Sequence, residues 1–186
     1  QKKKLEKVKN ITSKDFLQHA NRFVSNYSKY LNFNGISFED AIDGYIKMCN
    51  NMLKSQIYFI KNGTYPTNNQ NEAFENIYNN ETEMISLVMG LALSQYLWTS
   101  HYNMFCHFKD YLNNFKSKEI KYLEIGPGHG LFLNESLKQI SKKSDVDVID
   151  ISPSSIKMSK NIIEYFNPNF SNINYLIKDI IEFDTD

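Results

Sequence analysis

Residues Lys121–Leu133 read KYLEIGPGHGLFL. A short β-rich run ends in Glu124 and Ile125. Three of the chain's seven glycines, Gly126, Gly128 and Gly130, then fall within five residues. Glycine tolerates positive φ and lets a backbone approach a ligand with no Cβ in the way. Pro127 stiffens the turn between the first two. Leu131 stands where the dinucleotide fingerprint G-x-G-x-x-G needs its third glycine, so the spacing is G-x-G-x-G, and no Lys-Ser/Thr pair follows to make a P-loop.

Outward from the glycines, the pattern alternates. LFLNESLKQISKK (131–143) sets Leu133, Leu137 and Ile140 on one helical face. VDVID (146–150) is a second strand. SPSSIKMSKNIIEYF (152–166) is a helix with Ser152 as N-cap and Pro153 at its first position, ended by Asn167 and Pro168. INYLIKDI (173–180) is a third strand. The order β-α-β-α-β, with connections too long for hairpins, predicts parallel strands in the order 3-2-1 joined by right-handed crossovers. That is the first half of a doubly wound, Rossmann-like α/β sheet. Ligands in such sheets bind beyond the carboxyl ends of the strands, so Asp150 at the end of strand two and Asp179 at the end of strand three join the glycines as candidates. Each acid taken alone is more often a solvated loop residue.

Upstream, the period is helical. Phe16, Ala20, Phe23, Tyr27 and Tyr30 form one stripe behind a Thr12/Ser13 start signal. Ser37 with Glu39 and Asp40 opens a helix that Gly63 closes after Asn62. GTYPTNNQN (63–71) reads as a loop. Two more helices, Glu81 to Leu97 and Thr99 to Phe115, meet near Trp98. Residues 1–118 are thus expected to be a helical cap or substrate region, and 119–186 the cofactor-binding half-domain. The chain opens without Met and stops after three strands, so the reading expects a truncated chain with its C-terminal strands missing.

Composition narrows the class. Hydrophobic content is 41%, charged content 23% and formal net charge zero, which suits a folded domain and gives no bulk attraction to nucleic acid or anionic membrane. The stretch MISLVMGLALSQYLW (84–98) is too short and too polar to span a bilayer. Cys49 and Cys106 lack metal-ligand or CxxC spacing and read as reduced, small hydrophobes of a cytoplasmic protein. No metal site is expected.

YLEIGPGHG resembles motif I of the class I S-adenosylmethionine (SAM)-dependent methyltransferases, VDVIDIS their second motif and YLIKDIIEF the stretch around their third. The resemblance covers 119–186 and lies in the ordered trio. It implies SAM as cofactor. Gly126, Gly128 and Gly130 would wrap its methionine part and Glu124 would orient that loop and the cofactor's amino group. Asp150 would hold the ribose diol, Ile151 pack on adenine and Asp179 meet the adenine amine. The acceptor-facing residues of that family commonly follow a fourth strand, which this chain lacks.

The acceptor is read as a small molecule. The alternatives are an rRNA adenine methyltransferase-like enzyme, whose motif is similar, and a non-catalytic SAM-binding module. Neutral charge and the long helical preface argue against nucleic acid. No membrane partner is expected. An open sheet edge could give a homo-oligomer. Within SQYLWTSHYNMFCHF (94–108), Tyr96, Trp98, His101, Tyr102 and His107 could close over the site, or Trp98, Tyr102 and Phe105 could simply be helix packing. His101 is the candidate base, since histidine is the residue type suited to proton transfer near neutrality. His129 is read as facing solvent.

Overall fold

The computed structural model describes residues 14–67, 69 and 78–183. Four helices come first: α1 (Lys14–Phe33), α2 (Phe38–Asn62), α3 (Glu81–Leu97) and α4 (Thr99–Leu112). The α/β part follows as β1 (Lys121–Ile125), α5 (Leu131–Gln139), β2 (Asp145–Asp150), α6 (Pro153–Phe166) and β3 (Ile173–Ile177). Short 3-10 turns occupy Asn113–Phe115 and Ile180–Glu182. The expected start signal at Thr12/Ser13 lies outside the described residues.

Local chemistry sets most of these boundaries. The Ser37 hydroxyl accepts from the Asp40 N–H at 3.1 Å, and the Asp40 carboxylate accepts from the Ser37 N–H at 2.9 Å, a reciprocal capping box. Gly63, at φ 73°, closes α2 by donating its N–H to the Phe59 carbonyl. Trp98 is extended and breaks the run between α3 and α4. Ser152 caps α6 through the Ser155 N–H, with Pro153 first in the helix.

Three elements are shorter than the sequence pattern suggests. Helix α4 ends at Leu112, and Asn113–Phe115 follow as a 3-10 turn. Helix α5 stops at Gln139 because Ile140 turns extended, and it buries Ile140 just outside the helix instead. Strand β3 stops at Ile177, and the chain bends toward the 3-10 turn that Asp179 caps.

The sheet is parallel in the order β1-β2-β3, as the connections predict. Its register puts Tyr122, Val146 and Ile173 in one row and Glu124, Val148 and Tyr175 in another. Val146 and Val148 join Leu133, Leu137, Ile156 and Ile162 in the core beneath α5 and α6. Leu123 and Ile125 point the other way and are 38% and 56% exposed.

Helix α3, built from the apolar stretch, buries residues on every side and is the centre of the helical region. It crosses α2 where Gly44 and Gly90 meet. Among the described residues, no helix is long and apolar enough to cross a membrane. Cys49 and Cys106 are free and half-buried.

Candidate functional site

The loop after β1 places glycines in the left-handed region at alternate positions: Gly126 (φ 65°), Gly128 (φ 51°) and Gly130 (φ 70°). The Gly126 N–H donates to the Ile149 carbonyl at 2.8 Å and so ties the loop to the end of β2. A Cβ added to Gly126 would meet nothing within 4 Å, and one on Gly128 only the Gly126 carbonyl at 4.0 Å. These two leave open space beside the backbone. Gly130 differs. Its Cβ would stand 2.5 Å from Ile162 Cγ2 and 2.9 Å from Ser159 Cα. Gly130 is required by the crossing of α5 on α6, a packing reason the sequence spacing does not reveal.

The two acids stand at the same sheet end. The Asp150 carbonyl accepts from the Lys178 N–H at 3.0 Å, which brings the start of the Asp179 turn beside the end of β2. The Asp150 carboxylate accepts from the Ser152 N–H at 2.9 Å and, through its other oxygen, from the Ser155 hydroxyl. It therefore helps to order the first turn of α6, and each oxygen keeps a lone pair for a further donor. Asp179 accepts from the Ile181 N–H at 3.0 Å. Ile151 is half-buried between β2 and α6.

Glu124 faces the covered side of the sheet. It accepts a short hydrogen bond from the Tyr122 hydroxyl, which in turn accepts from Ser136 Oγ at 3.0 Å. Burial raises the Glu124 pKa, an effect the Tyr122 bond partly opposes. Among the described residues no hydrogen bond joins the Glu124 side chain to the glycine loop. Tyr122, Ser136 and Ser155 were not singled out in the sequence; the Ser152-x-x-Ser155 spacing at a cap was the one available signal.

The helical region reaches this loop through aromatic edges. Phe132, in the first turn of α5, lies 5.5 Å from Phe105 and 4.9 Å from Phe108 between ring centroids. His129 does not face solvent, contrary to the sequence reading. Its Nδ1 accepts from the Leu131 N–H at 3.1 Å, its ring lies near Phe132, and burial, with a smaller repulsion from His101, lowers its pKa to about 4. The loop end thus packs under α4.

His101 is half-buried against Trp98, with its Nδ1 2.9 Å from Ser94 Oγ. Ser94 gives its one proton to the Leu91 carbonyl at 2.7 Å, so toward His101 it accepts, and the neutral imidazole carries its proton on Nδ1. Its Nε2 is left as an acceptor. Trp98 donates to the Tyr45 hydroxyl at 2.7 Å and also lines a cavity of about 640 Å³ with Met48, Met52, Leu53 and Leu87. That cavity does not include the glycines, Asp150 or Asp179. Tyr96 and Tyr102 pack on Phe16, and His107 is exposed. No group of three or more His, Cys, Asp or Glu among the described residues could hold a metal ion.

A scan against protein-family models finds no match, and a search of curated proteins finds none. Among solved structures, the chain is similar to an N-methyltransferase of Bradyrhizobium japonicum in complex with S-adenosyl-L-homocysteine. Identity is 20% and the TM-score 0.37, over 46% of this chain and 39% of that one. It is also similar to a dimethyladenosine transferase from Plasmodium falciparum, at 25% identity and a TM-score of 0.37, over 45% of this chain and 28% of that one. The matched part spans well under half the length of either protein.

Proposed function

We propose that the chain binds SAM across the carboxyl end of its sheet and forms the cofactor-binding part of a SAM-dependent methyltransferase. The observation that carries this reading is the convergence of three loops on one sheet end. Open backbone at Gly126 and Gly128 lies one hydrogen bond from β2, and Asp150 lies one hydrogen bond from the Asp179 turn. The ordered trio of motifs supports it independently.

In this reading, residues 119–186 hold the cofactor and 1–118 form the helical cap that faces the acceptor. Gly126 and Gly128 let the backbone approach the methionine part, and Gly130 fixes the helix that follows them. Glu124 braces the end of β1 through Tyr122. Asp150 receives the ribose hydroxyls on its remaining lone pairs, Ile151 packs on adenine and Asp179 accepts from the exocyclic amine. Bound SAM supplies a methyl group made electrophilic by its sulfonium. The protein's part is alignment and exclusion of water. His101 is proposed as the proton acceptor, through the Nε2 that Ser94 leaves free. A small molecule is the proposed methyl acceptor.

Calorimetric titration of the chain with SAM tests the reading, with NADH as control. Saturable binding of SAM and none of NADH is expected. Asp150→Ala would also uncap α6, so Asp150→Asn is the cleaner variant. It keeps one acceptor for the helix and should weaken SAM about tenfold or more. Gly126→Ala meets no neighbour with its methyl and carries only the strain of a left-handed alanine, about 1–2 kcal/mol, so it should lose SAM while remaining folded. If SAM fails to bind the unsubstituted chain, or Asp150→Asn binds it unchanged, the proposal falls.

A further inference from the structure

We propose that a second cavity, where α1, α3, α4 and α5 meet, binds a small carboxylate of amino-acid size that carries an N–H donor. The cavity is about 290 Å³, below the range of roughly 300–1,000 Å³ typical of drug-sized ligand sites, so its occupant is small. None of its lining residues is a proposed SAM contact, and the inference does not rest on the methyl-donor reading.

The first observation is Gln95. It lines the cavity, is 3% exposed, and its Oε1 is buried with no hydrogen-bond partner among the described residues. An unpaired buried acceptor destabilises a folded chain, because it gives up its bond to water for nothing. A ligand N–H would remove that penalty, and would make Gln95 a specific reader of donors.

The second observation is charge. Arg22, the chain's only arginine, lines the same cavity together with Lys109 and Lys138. One carboxylate, Glu135, stands against these three cations; it pairs with Lys138 at 2.6 Å and Lys109 at 3.6 Å. Arg22 has no ion-pair partner among the described residues. In a chain of zero net charge, this local excess marks a place for an anion, and a guanidinium matches a carboxylate in two parallel hydrogen bonds. Phe23, stacked on Tyr96 at 4.5 Å, offers an apolar wall for the rest of the molecule.

The test titrates each standard L-amino acid into the isotope-labelled full chain and follows amide and side-chain NMR signals. For the tightest binder, the counterparts lacking the amino group or the carboxylate are titrated as well. The expected result is saturable binding that shifts the Gln95 side-chain amide, with both counterparts at least tenfold weaker. Arg22→Ala, at an exposed position, should weaken binding about tenfold without moving the thermal midpoint. Gln95→Met, similar in length but lacking the carbonyl, should abolish it. The proposal is overturned if no amino acid binds at this cavity, if the deaminated counterpart binds as well as the parent, or if Arg22→Ala binds unchanged.

Discussion

His129 shows how one ring couples the glycine loop to solvent pH. Its Nδ1 is occupied by the Leu131 N–H, so the half-buried ring is neutral with its proton on Nε2. Burial, helped by His101, moves its pKa from an ordinary 6.5 to about 4. The folded state therefore resists the proton that the unfolded chain accepts. Stability from this group is complete above pH 6.5 and falls as pH drops toward 4, by an amount on the order of 3 kcal/mol. His129→Gln should flatten that acid limb in urea unfolding measured at neutral and mildly acidic pH. Glu124 has the opposite sign, because burial raises its pKa. Its protonated form suits the fold, so Glu124→Gln should raise the urea midpoint at neutral pH. At this scale, the placement of Gly126, Asp150 and Asp179 at one sheet end was legible, since strand ends follow from local pattern. The inward turn of His129 was not, because it depends on where α4 lies over the loop.

The helix crossing of α2 on α3 decides the packing of the N-terminal half. A Cβ on Gly44 would stand 2.8 Å from the Ser86 carbonyl oxygen, and one on Gly90 about 3.1 Å from the Gly44 carbonyl and Met48. Two helix backbones touch there. In an exposed helix, Gly44→Ala would stabilise by about 1 kcal/mol. Here the obstacle is backbone, and overpacking of about 1–3 kcal/mol or more should reverse the sign. Urea unfolding of Gly44→Ala should thus show a lower midpoint. The caps of α2 and α6 were readable because Ser37, Gly63, Ser152 and Pro153 act within a few residues of themselves. The ends of α5 and β3 were not. Ile140 leaves its helix to reach a core assembled from distant segments, and Lys178 is held by the Asp150 carbonyl of the neighbouring strand. A glycine inside a helix reads in sequence as a local cost; what lies against it is a property of the assembled pair.

Across the whole molecule, the parallel order β1-β2-β3 followed from connection length and handedness. The docking of the helical region did not. It rests on aromatic pairs such as Phe105 with Phe132 and Tyr30 with Tyr165, and either partner of each pair reads equally well as lid or as core. One contact links these levels. Gly130 sets how closely α5 crosses α6, and the nearer obstacles to a side chain there include Ser159 Cα, an atom every residue possesses. No exchange of side chains on α6 can clear it. In a library selected for folding, position 130 should therefore admit glycine alone, and no second-site substitution at Ile162 should rescue a variant. Gly35 and Gly63 have the same left-handed backbone but open surroundings, and should accept asparagine. Deep sequencing of such a library would separate glycines kept for the shape of a turn from those, Gly130 with Gly44 and Gly90, kept for the distance between two helices.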